Sequence, residues 1–173
     1  MADYSVLLAQ RIGMPDSFVE DIKTFSPLHD IGKVGIPDSI LLAPRRLEPH
    51  EFEIMKTHSE LGYQILHGRP SMEMAAEICR GHHEKWNGTG YPRGLSGEDI
   101  PTSARIVALA DVYDALRSRR HYKQPWPHEK AMGVIKSDSG THFDPALSAA
   151  ALELEPRFRE IGRPSEVEDG DYS

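Results

Sequence analysis

Thr102-Ser103-Ala104-Arg105-Ile106-Val107-Ala108-Leu109-Ala110-Asp111-Val112-Tyr113-Asp114-Ala115-Leu116 reads as a helix with apolar side chains on most of its faces. A helix of that kind needs other helices around it. Downstream, Pro127 and Pro145 each stand where a further helix opens. Upstream, Met74, Ile78 and His82 step by four, and Leu47-Glu48-Pro49 opens a segment in which Phe52, Met55, His58, Tyr63 and Leu66 follow until Gly68 closes it. Ser17 and Glu20 have capping-box spacing ahead of Ile22 and Phe25, with Pro27 beyond. Tyr4, Leu8 and Ile12 make the first stripe, stopped by Gly13 and Pro15. No segment alternates with period two for long enough to demand a strand. The pattern predicts an all-α bundle of about six to seven helices. Residues 86–101 interrupt it with Gly88, Gly90, Gly94 and Gly97, a long Gly/Pro-rich loop of the kind that carries function. The domain is expected over 1–162, followed by an acidic, flexible tail over 163–173.

The whole chain has 173 residues, 39% of them apolar, enough for one domain with an ordinary core. Its net charge of -7 argues against binding DNA or RNA polymers, which needs a surplus of Lys and Arg. There is no basic leader and no 18-residue apolar run, so the cytoplasm is the expected compartment. Nine histidines stand against one cysteine, Cys79. A single thiol excludes disulfide frameworks and multi-cysteine metal sites, so any metal centre must use imidazole and carboxylate ligands.

Polar residues fall in or beside apolar helical faces at His29, Asp30, Lys33, His58, His82, His83 and Asp111. Each is costly to bury unless paired or bound to metal. A lone histidine at such a place is more often a hydrogen-bonded core residue than a ligand; four histidines and two aspartates converging reverse that balance. An aspartate can bridge two cations through its two oxygens while neutral imidazoles fill the shells, which suits Asp30 beside His29. Adjacent helical residues point about 100° apart, so His82 and His83 can reach different parts of a cluster. Asp114 shares a face with Asp111 and is a candidate acceptor behind a ligand imidazole. A surface or capping carboxylate is the equal alternative for it.

Four motifs in order, His29-Asp30-Ile31-Gly32-Lys33-Val34-Gly35-Ile36-Pro37, Met55-Lys56-Thr57-His58, His82-His83-Glu84-Lys85-Trp86-Asn87-Gly88-Thr89-Gly90-Tyr91-Pro92 and Ala110-Asp111-Val112-Tyr113-Asp114-Ala115-Leu116, resemble the HD-GYP family of HD-domain phosphohydrolases. Gly140-Thr141-His142-Phe143-Asp144-Pro145 extends the likeness, which covers roughly residues 4–147. The resemblance implies hydrolysis of cyclic di-GMP to linear pGpG or GMP by a metal-bridging hydroxide. It implies metal ligands at His29, Asp30, His58, His82, His83 and Asp111, around two or in some members three divalent ions. Iron or manganese are the family's usual metals, with nickel, cobalt or zinc as alternatives. It places Lys33 near the scissile phosphate and Tyr91, Arg120 and Lys123 at the substrate. A shared water on two cations is acidic enough to act as hydroxide near neutrality.

The chain departs from the family at its start, where the first core helix normally carries a His, and in trinuclear members a Glu, before the position matching Tyr4. One metal position is therefore expected to lack a ligand. Asn87 also stands where many members have Asp, and His121 where Pro is usual. The competing reading is a catalytically impaired module that binds cyclic dinucleotide, or a GGDEF-type partner through Gly90-Tyr91-Pro92; a homodimer is a further possible assembly. A generic HD nucleotide hydrolase would not need the glycine-rich loop. His50, His67, His128 and His142 match no metal position and are expected to be surface or structural.

Overall fold

The computed structural model describes residues 1–118 and 124–162. Helix α7 (Thr102–Arg117) is the central element, packed by α1 (Ala2–Arg11), α6 (Glu73–Gly81), α8 (His128–Ser137) and α9 (Pro145–Glu153). Ile106, Leu109 and Tyr113 of α7 meet Tyr4 and Leu8 of α1, Ile22 of α2 (Asp16–Phe25), Ile78, Ile135, Leu147 and Phe158 in one core. Tyr4, Tyr113 and Phe158 form an aromatic triangle with ring centroids 4.9–5.0 Å apart, spacings at which edge and tilted contacts add to area burial. A smaller cluster of Leu66, Ala75, Ala76 and Cys79 joins α5 (His58–Leu66) to α6, and Phe25 touches both cores. Among the described residues there is no strand, only isolated bridges at Asn87–Ser96 and Ser139–Phe143. No helix there is long and apolar enough to cross a membrane.

The helices are shorter than the sequence pattern suggests, for local reasons. The segment expected as one helix from Leu47 to Gly68 is divided at Thr57 into α4 (Pro49–Lys56) and α5. There the Thr57 hydroxyl donates to the Ile54 carbonyl at 2.6 Å and His58 Nδ1 lies 2.7 Å from the Met55 carbonyl, so side chains compete for acceptors at the end of α4. Pro156 likewise separates α9 from α10 (Glu155–Ile161). Ser17 is not a cap, because α2 already begins at Asp16 behind Pro15. The capping box is instead at α4, where Glu48 and Glu51 satisfy each other's backbone amides. Between α2 and α4 the chain makes two 3₁₀ turns, Ser26–Leu28 and Ile31–Gly35, and the short α3 (Asp38–Leu41). The first two carry His29 and Asp30 at their ends. The expected tail lies outside the described residues.

Candidate metal centre

The ends of four elements meet at one place. His29 caps the first 3₁₀ turn, Asp30 opens the second, His58 begins α5 and His82 caps α6. Close approach of backbone makes this possible at Gly32, where an added Cβ would lie 1.9 Å from the His58 carbonyl oxygen and 2.4 Å from Gly62 N. Only glycine fits there.

Asp30 is the hub. Its Oδ1 faces His58 Nε2 at 3.4 Å and His82 Nε2 at 3.8 Å; its Oδ2 faces His29 Nε2 at 3.4 Å and accepts from Lys33 Nζ at 2.6 Å. His29 Nε2 also lies 3.6 Å from Asp111 Oδ1. Ligand atoms of Asp30, His58, His82 and His83 all fall within 4.8 Å of one another. The two carboxylate oxygens thus divide the imidazoles into two sets, as a bridging aspartate would.

The outward ring nitrogens fix the tautomers. His29 Nδ1 donates to the Ser26 carbonyl at 2.9 Å, His58 Nδ1 to Met55, and His82 Nδ1 to Ile78 and Cys79 at 3.0 and 3.1 Å. A nitrogen against a carbonyl must carry the proton in a neutral ring, so Nε2 presents a lone pair. Asp30 Oδ1, His58 Nε2 and His82 Nε2 are buried without a hydrogen-bond partner. Lone pairs converging on a carboxylate, with no donor between them, suit a cation and little else. The residues therefore fit a metal centre.

The electrostatics agree. Burial pushes His58 down, His82 to about 3 and His83 to about 2, so these rings are neutral, as ligation requires. Burial also lowers His29, but the Asp30 and Asp111 carboxylates outweigh it and the net shift is upward. Burial opposes ionisation of Asp30, yet the His29 and Lys33 contacts hold its carboxyl well below the usual range.

The structure brings together His29, Asp30, Lys33, His58, His82, His83, Tyr91 and Asp111. Tyr91 stacks on His83 with centroids 4.7 Å apart and 26° between planes, so one ring face expected for substrate is already covered. Asp114 does not back an imidazole: its Oδ1 accepts from the Met1 ammonium at 3.1 Å. Arg120 and Lys123 lie outside the described residues. Of the histidines set aside, His128 is structural, between the Tyr113 hydroxyl at 2.7 Å and Glu155 at 3.2 Å; His142 stacks on Phe143, and His50 and His67 are exposed.

Sequence reasoning gave no role to Glu84, which is 2% exposed. Its two oxygens accept from the backbone of Arg93 at 2.7 Å and Leu95 at 3.1 Å, holding the glycine-rich loop to the His82-His83 turn. Gly90 lets the loop fold back, since a Cβ there would lie 2.4 Å from Lys85 N. The far side is fastened by Trp86 N to His142 O and Asn87 N to Thr141 O, both at 3.0 Å. A charged residue straight after two ligands is the one signal that could have pointed to Glu84.

The HD-domain family profile matches residues 1–147. A cyclic di-GMP phosphodiesterase of Thermotoga maritima is 47% identical over 168 residues, covering 96% of this chain and 46% of that protein. The Vibrio cholerae 3'3'-cGAMP-specific phosphodiesterase 2 is 48% identical over 155 residues, covering 88% of the chain and 30% of its own length. The chain thus spans a third to a half of these relatives. Among solved structures, a V. cholerae cyclic GMP-AMP phosphodiesterase (V-cGAP3) superposes with a TM-score of 0.70 at 20% identity, over 96% of this chain and 45% of that one. An HDG"Y"P protein from Bdellovibrio bacteriovorus gives 0.70 at 23% identity, over 88% and 49%. With the histidine and aspartate cluster in place and the Gly90-Tyr91-Pro92 loop folded against it, the chain belongs to the HD-domain family, in its HD-GYP branch.

Proposed function

We propose that this chain is a metal-dependent phosphodiesterase of cyclic dinucleotides, cyclic di-GMP first among them and 3'3'-cGAMP a second substrate to test. The observation that carries the reading is the set of buried, partnerless acceptors around Asp30. Relatives named for both substrates support the substrate class. One cation would be held by Asp30, His58, His82 and His83, and a second by Asp30, His29 and Asp111. Nitrogen and carboxylate donors without thiolate suit iron or manganese, and also cobalt, nickel or zinc. When bound, such a pair supplies an activated water near neutral pH and neutralises charge on the phosphoryl oxygens. Asp30 holds the two ligand sets in register. Lys33, part-exposed and at 2.6 Å from Asp30, brings a positive charge to the rim, where a phosphate oxygen would compete for it. Arg120 and Lys123, which follow α7 in the sequence, are proposed to hold phosphate and guanine.

The test is release of linear dinucleotide from cyclic di-GMP by protein loaded with iron or manganese. Asp30→Ala is expected to lower turnover at least about 100-fold, since even residues behind ligands cost 10–100-fold, with the circular dichroism spectrum unchanged. Wild-type turnover in a folded Asp30→Ala protein refutes the proposal, as does an inactive wild type shown by elemental analysis to be loaded.

A further inference from the structure

His83 differs from the other three imidazoles of the cluster. His29, His58 and His82 are each oriented by Nδ1 donating to a backbone carbonyl, whereas among the described residues no hydrogen bond holds the His83 ring. The rings of His82 and His58 meet it at 4.0 and 5.1 Å, tilted and edge-on, and the one ring stacked on its face is that of Tyr91 at 4.7 Å. Tyr91 is in turn clasped from α4. Phe52 meets it edge to face with centroids 6.3 Å apart and 84° between planes. Lys56 Nζ sits 5.6 Å from the Tyr91 centroid and 5.7 Å from that of Phe52, and is itself held by Glu53 at 2.7 Å. Aromatic pairs and cations over rings have preferred geometries and energies enough to fix a ring plane. A metal-ligating histidine normally needs such an outer partner to set its orientation.

We infer that Tyr91, backed by Phe52 and Lys56, is the positioning group for His83, a stack standing in for the missing hydrogen bond. The inference rests on the metal-centre reading and gives α4 a role in it. Tyr91 and Lys56 touch no reacting atom in this role; they set where the His83 lone pair points. Phe52 is 46% exposed, more than a core residue of its size would be, which fits a clasp at the rim.

The measurement is metal affinity of the purified protein, by titration of the metal-free form with Co²⁺ followed by its d–d absorption, with elemental analysis for stoichiometry. Tyr91→Leu is expected to weaken binding by about 10–100-fold and to change the band shape, while Tyr91→Phe keeps both. Lys56→Met is expected to weaken binding by a smaller factor, restored by Lys56→Arg, which keeps a cation over the ring. Proton spectra of the metal-free protein supply a second readout: the His83 ring resonances lose their ring-current shift in Tyr91→Leu but not in Tyr91→Phe. A folded Tyr91→Leu protein with wild-type Co²⁺ affinity and band shape overturns the inference and leaves the proposed function standing. A wild type that binds no Co²⁺ overturns both.

Discussion

Single atoms decide how closely the ligand-bearing segments approach. Gly32→Ala would put a methyl into the His58 carbonyl, and backbone on both sides leaves it nowhere to go. A cost of at least about 3 kcal/mol is expected, equivalent to about 6–12 °C in Tm for a chain of this size, read by calorimetry. Loss of less than 1 °C would mean that the two segments are not so tightly apposed. Members of the cluster were legible in the sequence because charged and imidazole groups stood on otherwise apolar faces; Asp30, His58 and His82 are instances. Gly32 and Glu84 were not legible as site residues, because their contribution is a distance to another segment. For Asp114 spacing left two readings open, since it gives the helix face and not the Met1 amino group that lies 3.1 Å from its Oδ1.

At the level of elements, the loop over residues 86–97 is held by the Glu84 carboxylate on one side and by the His142 and Thr141 carbonyls on the other, with no helix or strand of its own through Ser96. Glu84→Gln keeps one acceptor and turns an amide donor toward an N–H, so about 1–3 kcal/mol is expected to be lost locally. Hydrogen exchange should speed up at the Arg93 and Leu95 amides while those of α7 keep their protection. Equal protection in both proteins would show that the carboxylate is not the fastening. Apolar spacing found α1, α6 and α7, and Pro127 marked the start of α8. It could not find the break at Thr57, because the apolar stripe runs on through α4 and α5 while the hydroxyl and imidazole divert the carbonyls.

For the whole molecule, the cluster makes stability depend on pH. His58, His82 and His83 have lowered values in the fold, so below the unfolded value of about 6.5 the unfolded chain binds more protons and stability falls with acid. The loss runs from about pH 6.5 downward, by up to about 1.4 kcal/mol per pH unit for each imidazole. His29 acts in the opposite direction: its raised value adds stability below about 6.5 that is lost as pH rises through the folded value. Three outweigh one, so chelator-treated protein should show a Tm that drops between pH 6.5 and 5. A flat profile there would mean the rings are not buried neutral. Bound metal should raise Tm near pH 7 and lose that effect in acid, because protons compete for the same lone pairs. The all-α class could be read from the chain; that α1, α6, α8 and α9 would pack around α7 while the cluster formed where two 3₁₀ turns, α5 and α6 meet could not.

The imidazoles donate to carbonyls at Ser26, Met55, Ile78 and Cys79, all in the last turn of a helix or 3₁₀ turn. The carbonyls at Ser26, Met55 and Ile78 also accept the backbone amides of His29, Thr57 and His82, so each takes a second donor where its helical turn stops. His29, His58 and His82, three of the proposed ligands, are therefore each tied to a helix end, and unwinding the last turn of α4 or α6 swings its imidazole away. The rate at which a chelator strips the metal then becomes a clock for fraying at those two helix ends, and a stabilised final turn would slow it without touching a ligand.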